Sequence, residues 1–188
     1  MKKTFLIILT LALLLSFSSC REKSNGDDEG FGKDVDIEIL EEDSLNVILL
    51  LPDTWTESSS SYQGTEIRHY TSPSDGKGDV FSESISITTE ALKEETTLEA
   101  YTSANVEIFK RIFNDFKMIS EAETITLGDV DGMRVVYSYT AGAIHIVIDQ
   151  TFVINDGKAY MITCNATEDS YAEYSDIFSS AIESFKIS

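Results

Sequence analysis

The chain has 188 residues, 42% of them hydrophobic, with 14 basic against 33 acidic side chains and a formal charge of −19. That length suits one globular domain, and regular hydrophobic spacing with only 2 Pro and 10 Gly excludes wholesale disorder or a collagen-like chain. The acidity argues against sequence-independent nucleic-acid binding, which needs clustered Lys and Arg, and the 2 cysteines are too few for a disulfide scaffold or a cysteine-built zinc site.

Lys2 and Lys3 precede an apolar run from Phe5 to Leu15. As a helix this run is about 16 Å long, half of a bilayer core of about 30 Å, which suits a signal-peptide core better than a membrane span. Ser16-Phe17-Ser18-Ser19 then leads into Cys20. This stretch resembles a bacterial lipobox, with Phe17 where the common pattern has Leu. The resemblance implies cleavage before Cys20 and a thioether-linked diacylglycerol, carrying fatty acids such as palmitate, on the new N-terminal cysteine. Residues 1–19 are therefore expected to be a signal peptide. Their removal takes away two lysines and no acids, so attachment to an anionic bilayer must come from the acyl chains. Arg21, rather than Asp, after the cysteine leans towards an outer membrane if the source has one.

Arg21 to Asp34 is rich in Gly, Ser, Asn and acids. With Cys20 it forms a flexible acidic tether, residues 20–34, with a root-mean-square span of about 20 Å. Residues 35–188 are expected to form one globular domain. Val35, Ile37 and Ile39 alternate with Asp36 and Glu38, the period of a strand with one wet face. Leu45 to Leu51 is apolar almost throughout, which predicts a strand covered on both faces, stopped by Pro52-Asp53-Thr54-Trp55. Further strands are predicted at Thr65–Thr71, Val80–Thr88, Met118–Leu127, Met133–Thr140, Ala143–Ile154 and Lys158–Ala166. Thr140-Ala141-Gly142 and Asn155-Asp156-Gly157 provide turns between the last three, so these form an antiparallel meander.

Two segments read as helices. Thr96 and Glu99 have the spacing of a capping box. The stripe that follows contains Leu98, Tyr101, Ala104, Ile108, Ile112 and Phe116, widened by Phe109 and Phe113. A second helix is predicted from near Asp169, with Tyr171, Tyr174, Phe178, Ala181, Ile182 and Phe185 on one face. Both stripes serve core packing. Strands and helices in this order make an α+β fold, an antiparallel sheet with two main helices packed on it.

Several short elements resemble those of PsbP-like proteins, a group that includes the extrinsic photosystem II subunit, bacterial DcrB-like lipoproteins and a yeast Ran-binding import factor. Leu51-Pro52-Asp53-Thr54-Trp55 is similar to the family's P-x-G-W element, with Thr54 in place of Gly, so the turn there is expected to differ. The resemblance continues through the helix near residue 100, through Gly128-Asp129-Val130-Asp131-Gly132 leading into Val135-Val136-Tyr137, and through Gly157 to Thr163. It ends at Ile182-Glu183-Ser184-Phe185. It implies an α/β/α sandwich with a central antiparallel sheet and says little about activity, because fold does not fix function.

Catalytic motifs are absent: no G-x-S-x-G elbow, H-E-x-x-H, C-x-x-C, P-loop or dinucleotide fingerprint occurs. His69 and His145 are the only histidines, both in predicted strands. His145 and Asp149 share a strand face about 13 Å apart, too far to pair directly. Tyr160, Ile162, Cys164 and Ala166 share an inward face, so Cys164 is expected to pack as a small hydrophobe. Asp75 with Asp79, and Asp129 with Asp131, are weak metal-ligand candidates beside glycines. Neither pair continues into an EF-hand, and ordinary turns explain them better. Asn165-Ala166-Thr167 fits a glycosylation sequon that a bacterial lipoprotein would not normally use. No cofactor is implied. The sequence points to a non-catalytic envelope lipoprotein, held in the bilayer through Cys20, that binds or helps assemble another envelope protein. A binding protein for a small ligand or cation is the alternative, and a hydrolase with a carboxylate pair is a third reading.

Overall fold

The computed structural model describes residues 45–62, 65–74, 76, 81–92 and 95–188. The expectations for the signal peptide, Cys20, the tether and the strand at Val35–Ile39 lie outside the described residues.

The elements in chain order are β1 (Val47–Ile48), β2 (Thr56–Tyr62), β3 (Thr65–Thr71), β4 (Ser84–Ala91), α1 (Leu98–Ile112), β5 (Asn114–Leu127), β6 (Val130–Ala141), β7 (Ile144–Asn155), β8 (Lys158–Thr167), α2 (Tyr171–Ser184) and β9 (Lys186–Ile187). Seven strands form one antiparallel sheet in the order β2-β3-β4-β8-β7-β6-β5, and β1 pairs with β9 beside it. The four strands from β5 to β8 are a meander of tight hairpins. Gly128 and Gly142 open two of the turns at φ +62° each, and Asp156-Gly157 closes the third with φ of 47° and 73°. Positive φ at such positions matches the right-handed twist of the flanking strands.

Strand alternation divides the core into two layers, one on each face of the sheet. Along β8, Tyr160, Ile162, Cys164 and Ala166 face α2 and pack with Tyr174, Phe178, Ala181, Ile182 and Phe185. Ala159 and Met161 face the other way, into the layer that α1 closes with Tyr101, Val106 and Phe109 over Tyr137, Tyr139, Ile148 and Phe152. The predicted α/β/α sandwich is the observed fold.

Three local expectations need correction, and one strand has no counterpart among the predicted elements. Leu45 to Leu51 is not a strand covered on both faces. Only Val47 and Ile48 pair with another strand, and Ile48 and Leu50 are exposed while Leu45 and Val47 are buried. A continuous apolar run hid a period-two pattern. The N-cap of α1 is Thr97, whose Oγ1 accepts from the Ala100 N–H at 3.2 Å, one residue later than the capping-box spacing suggests. The buried face of α1 is Tyr101, Thr102, Asn105, Val106 and Phe109, with Ala104 exposed, so the helix is rotated from the predicted apolar stripe. Phe116 stands in β5, beyond the helix. Finally, β2 has the sequence TESSSSY, which carries no hydrophobic alternation, yet it pairs with β3 in unbroken register over its whole length.

Candidate functional site

The two edges of the sheet differ. At one end, β5 departs from regular register with β6 at three places between Asn114 and Glu123, and Lys117 lies among them. Bulges and lysine blunt an edge strand against further pairing. At the other end, β2 pairs with β3 from Thr56↔Thr71 to Tyr62↔Thr65 without a bulge, and its sequence has neither Pro nor Lys. Thr56 to Ser61 are exposed, and among the described residues nothing pairs with the outer side of β2. In a strand of this length three or four residues direct both N–H and C=O outward.

Alternation places Glu57, Ser59 and Ser61 on the sheet face that α2 covers, beside Glu66 and Arg68 of β3. Arg68 is engaged: its guanidinium lies 3.5 Å from Glu57 Oε1 and donates to the Val47 carbonyl at 3.2 Å. The edge therefore carries two carboxylates on this face and a cation already held by its neighbours.

From the same edge a row of polar side chains runs inward under α1. Ser58, His69, Ser86, Thr163 and Gln150 are successive register partners across β2, β3, β4, β8 and β7. All but Ser58 are buried. Gln150 Nε2 donates to Thr163 Oγ1 at 3.1 Å and Gln150 Oε1 accepts from the Tyr137 hydroxyl at 2.9 Å. His69 Nδ1 has no hydrogen-bond partner, and burial lowers the pKa of this imidazole, which favours the neutral form.

Under α2 the sheet holds a buried ion pair. Arg134 donates to Asp149 as a fork, Nε to Oδ1 at 2.8 Å and Nη2 to Oδ2 at 2.5 Å. The same Nη2 donates to Ser179 Oγ at 3.1 Å, and the Tyr171 hydroxyl donates to Asp149 Oδ2 at 3.3 Å. The pairing with Asp149 holds Arg134 firmly protonated, and burial pushes the Tyr171 phenol up to about 12. At the start of the helix, Glu83 accepts from the hydroxyls of Ser170 at 2.6 Å and Ser72 at 3.3 Å. Glu83 thus ties α2 to the sheet at its N-cap, Asp149 ties it at Tyr171 and Arg134 at Ser179 in its middle. Both carboxylates, Glu83 and Asp149, are engaged in these contacts.

The residues singled out in the sequence do not converge. Cys164 is fully buried and free, beside its register partner Asp149. Burial first, and Asp149 second, push its thiol well above the ordinary value, so it holds little thiolate. His145 is exposed, with Nδ1 3.2 Å from Thr140 Oγ1, and His69 lies on the opposite side of the sheet's midline, in β3. Asp129 and Asp131 are exposed at the β5–β6 hairpin, while Asp75 and Asp79 lie outside the described residues. Among the described residues no group of three or more His, Cys, Asp or Glu side chains could hold a metal ion, and no helix is long and apolar enough to cross a membrane. Sequence reasoning missed the β2 edge and the Arg134–Asp149 pair. Arg134 could have been found as a cation away from the ends of a predicted meander strand; nothing in a serine run announces an edge strand.

Comparison with known proteins supports the fold. The cyanobacterial PsbP protein CyanoP from Synechocystis sp. PCC 6803 superposes with a TM-score of 0.57 at 15% identity, covering 78% of this chain and 89% of that one. PA94, a protein of unknown function from Pseudomonas aeruginosa, gives 0.56 at 16% identity, covering 71% and 85%. LpqN, involved in cell envelope biogenesis of Mycobacterium tuberculosis, gives 0.54 at 13% identity, covering 76% and 83%. These likenesses establish a PsbP-like fold and nothing of activity. No curated protein matches the chain in sequence. Residues 40–187 match the family described as the serine/threonine kinase C-terminal domain, a name that assigns no phosphoryl transfer to the domain itself. With that match spanning the two-layered core and both helices, the chain belongs to the serine/threonine kinase C-terminal domain family, built on a PsbP-like fold.

Proposed function

We propose that this chain is a lipid-tethered, non-catalytic protein-binding module of a bacterial cell envelope, anchored through Cys20. The observation that carries the reading is the contrast between the sheet edges: β5 is blunted by bulges, whereas β2 offers a continuous, exposed backbone edge. An open edge of this kind takes an extended segment of another protein as an added strand. The inward consumption of Arg134, Asp149, Glu83 and Cys164 in packing contacts agrees with an absence of turnover chemistry. The envelope role in LpqN's description agrees with the reading. Tethering raises the effective concentration of the domain at the membrane, so a weak contact suffices.

The test places a photo-crosslinking side chain at Ser59 on β2, or at exposed Glu173 on α2, in cells that make the full chain. A membrane protein captured from Ser59 and not from Glu173 is expected. In the Cys20→Ala background, fatty-acid labelling should disappear, unprocessed precursor should accumulate and capture should fall. Wild-type fatty-acid labelling of Cys20→Ala would sink the anchoring claim. Turnover by the purified chain in a hydrolase screen, abolished by one Asp, Glu or Ser substitution that leaves folding intact, would sink the non-catalytic claim.

A further inference from the structure

We infer that the occupant of the β2 edge is an extended segment of a partner protein with Lys or Arg at positions i and i+4 and small residues between them. This assignment rests on the protein-binding reading and adds the chemistry of the partner. A strand added to β2 would lie about 4.8 Å from it and about 10 Å from β3. On the face that α2 covers, its side chains would stand opposite Glu57, Ser59 and Ser61. Glu57 is half-exposed, its side chain 54% accessible. Ser61 has Glu66 as its register partner on β3, so a long basic side chain opposite Ser61 reaches over the serine towards that carboxylate. The two acidic positions are thus served from residues four apart on the incoming strand. Opposite Ser59 the space is bordered by the guanidinium of Arg68, already bonded to Glu57 and Val47, so a small neutral residue fits there and a third cation does not.

The same charges decide against two other occupants. A second copy pairing antiparallel about Ser59 would set each Glu57 across from the other copy's Ser61, with Glu66 just beyond, and would join two chains of formal charge −19. The chain's own segment Val35-Asp36-Ile37-Glu38-Ile39 would bring either Asp36 and Glu38 or three apolar side chains onto that acidic face. A basic segment is the complement.

The experiment uses the full-length chain in mild detergent and a nine-residue Thr/Ser peptide with Lys at positions 3 and 7, against a counterpart with Glu at both. Fluorescence anisotropy reads affinity, and hydrogen exchange reads protection of residues 56–62. The Lys peptide should bind about tenfold or more tightly than the Glu peptide, with an advantage that shrinks in high salt. It should also slow exchange in β2, and Glu57→Lys should reverse the preference. Ser59→Pro and Ser60→Pro separate docking from folding. Ser60→Pro removes an N–H directed at β3, whereas Ser59→Pro removes one directed outward; Ser59→Pro should keep the melting temperature and lose the peptide. Equal binding of the two peptides, or binding without protection of β2, would overturn the assignment. So would concentration-dependent dimers that protect β2, or β2 protection in the free chain that vanishes on deleting residues 35–40. A membrane partner captured at a surface other than β2 would overturn it too, while leaving the protein-binding reading standing.

Discussion

Arg134 and Asp149, on neighbouring strands, meet as a two-bond fork beneath α2, and the carboxylate is fully buried while the guanidinium side chain keeps 21% of its surface. Such a pair is worth little relative to a well-packed apolar replacement, but breaking it from one side is costly. Arg134→Ala should therefore destabilise the domain by about 3–5 kcal/mol, because it leaves a buried carboxylate without its cation. Arg134→Met combined with Asp149→Leu should fall within about 1 kcal/mol of wild type. Urea unfolding of the single and double variants measures both. A small effect of Arg134→Ala would mean that water reaches Asp149.

Cys164 sits one strand from that pair, fully enclosed between β4, β7 and α2. Its raised thiol pKa and lack of access act in the same direction. In native protein at pH 8 an aromatic disulfide reagent should leave Cys164 unmodified for hours, with full reaction once the chain is unfolded in urea. Rapid native labelling would show that the strand opens locally.

Stability should decline on both sides of neutrality. Burial lowers the pKa of His69 below 6.5, so the unfolded chain takes up a proton first as pH falls. The contribution of the neutral, buried imidazole is complete above about 6.5 and is lost below it. At the other end, burial pushes Tyr139 and Tyr171 up to about 12, against about 10 when unfolded. Their contribution is complete below about 10 and is lost as pH rises towards about 12. Denaturation midpoints across pH should show both slopes. His69→Gln should flatten the acid side and Tyr139→Phe should reduce the alkaline one. An unchanged acid slope in His69→Gln would assign it to carboxylates instead.

The meander was legible because its strands alternate cleanly and its turns carry Gly142 and Asp156-Gly157, so local chemistry and tertiary pairing agree. The second helix was legible for the same reason, with Tyr174, Phe178, Ala181 and Ile182 all buried as spaced. The first helix is legible in its place but not in its facing: Thr102 and Asn105, which lie off the apolar stripe, are buried, and Asn105 Nδ2 donates to the Tyr101 carbonyl at 2.9 Å. Hydropathy cannot see a polar side chain that finds its partner within its own helix. The candidate site was least legible of all. An edge strand such as β2 owes its conformation to β3 alone, and Thr56 to Ser61 bury too little to leave a mark in the sequence.

The pairing of β1 with β9 sets Val47 directly beside Ile187. Among the described residues, the first strand and the last thus lie side by side. A circular permutant should therefore be tolerated, with residues 188 and 45 bridged by a few glycines, so that the buried Leu45 is kept, and new termini cut at the exposed Gly142–Ala143 turn. Such a permutant would hang the same folded body from the β6–β7 hairpin, with Leu45 and Val47 still in the core. Comparing the two hangings would separate what the domain recognises from the direction in which it is presented.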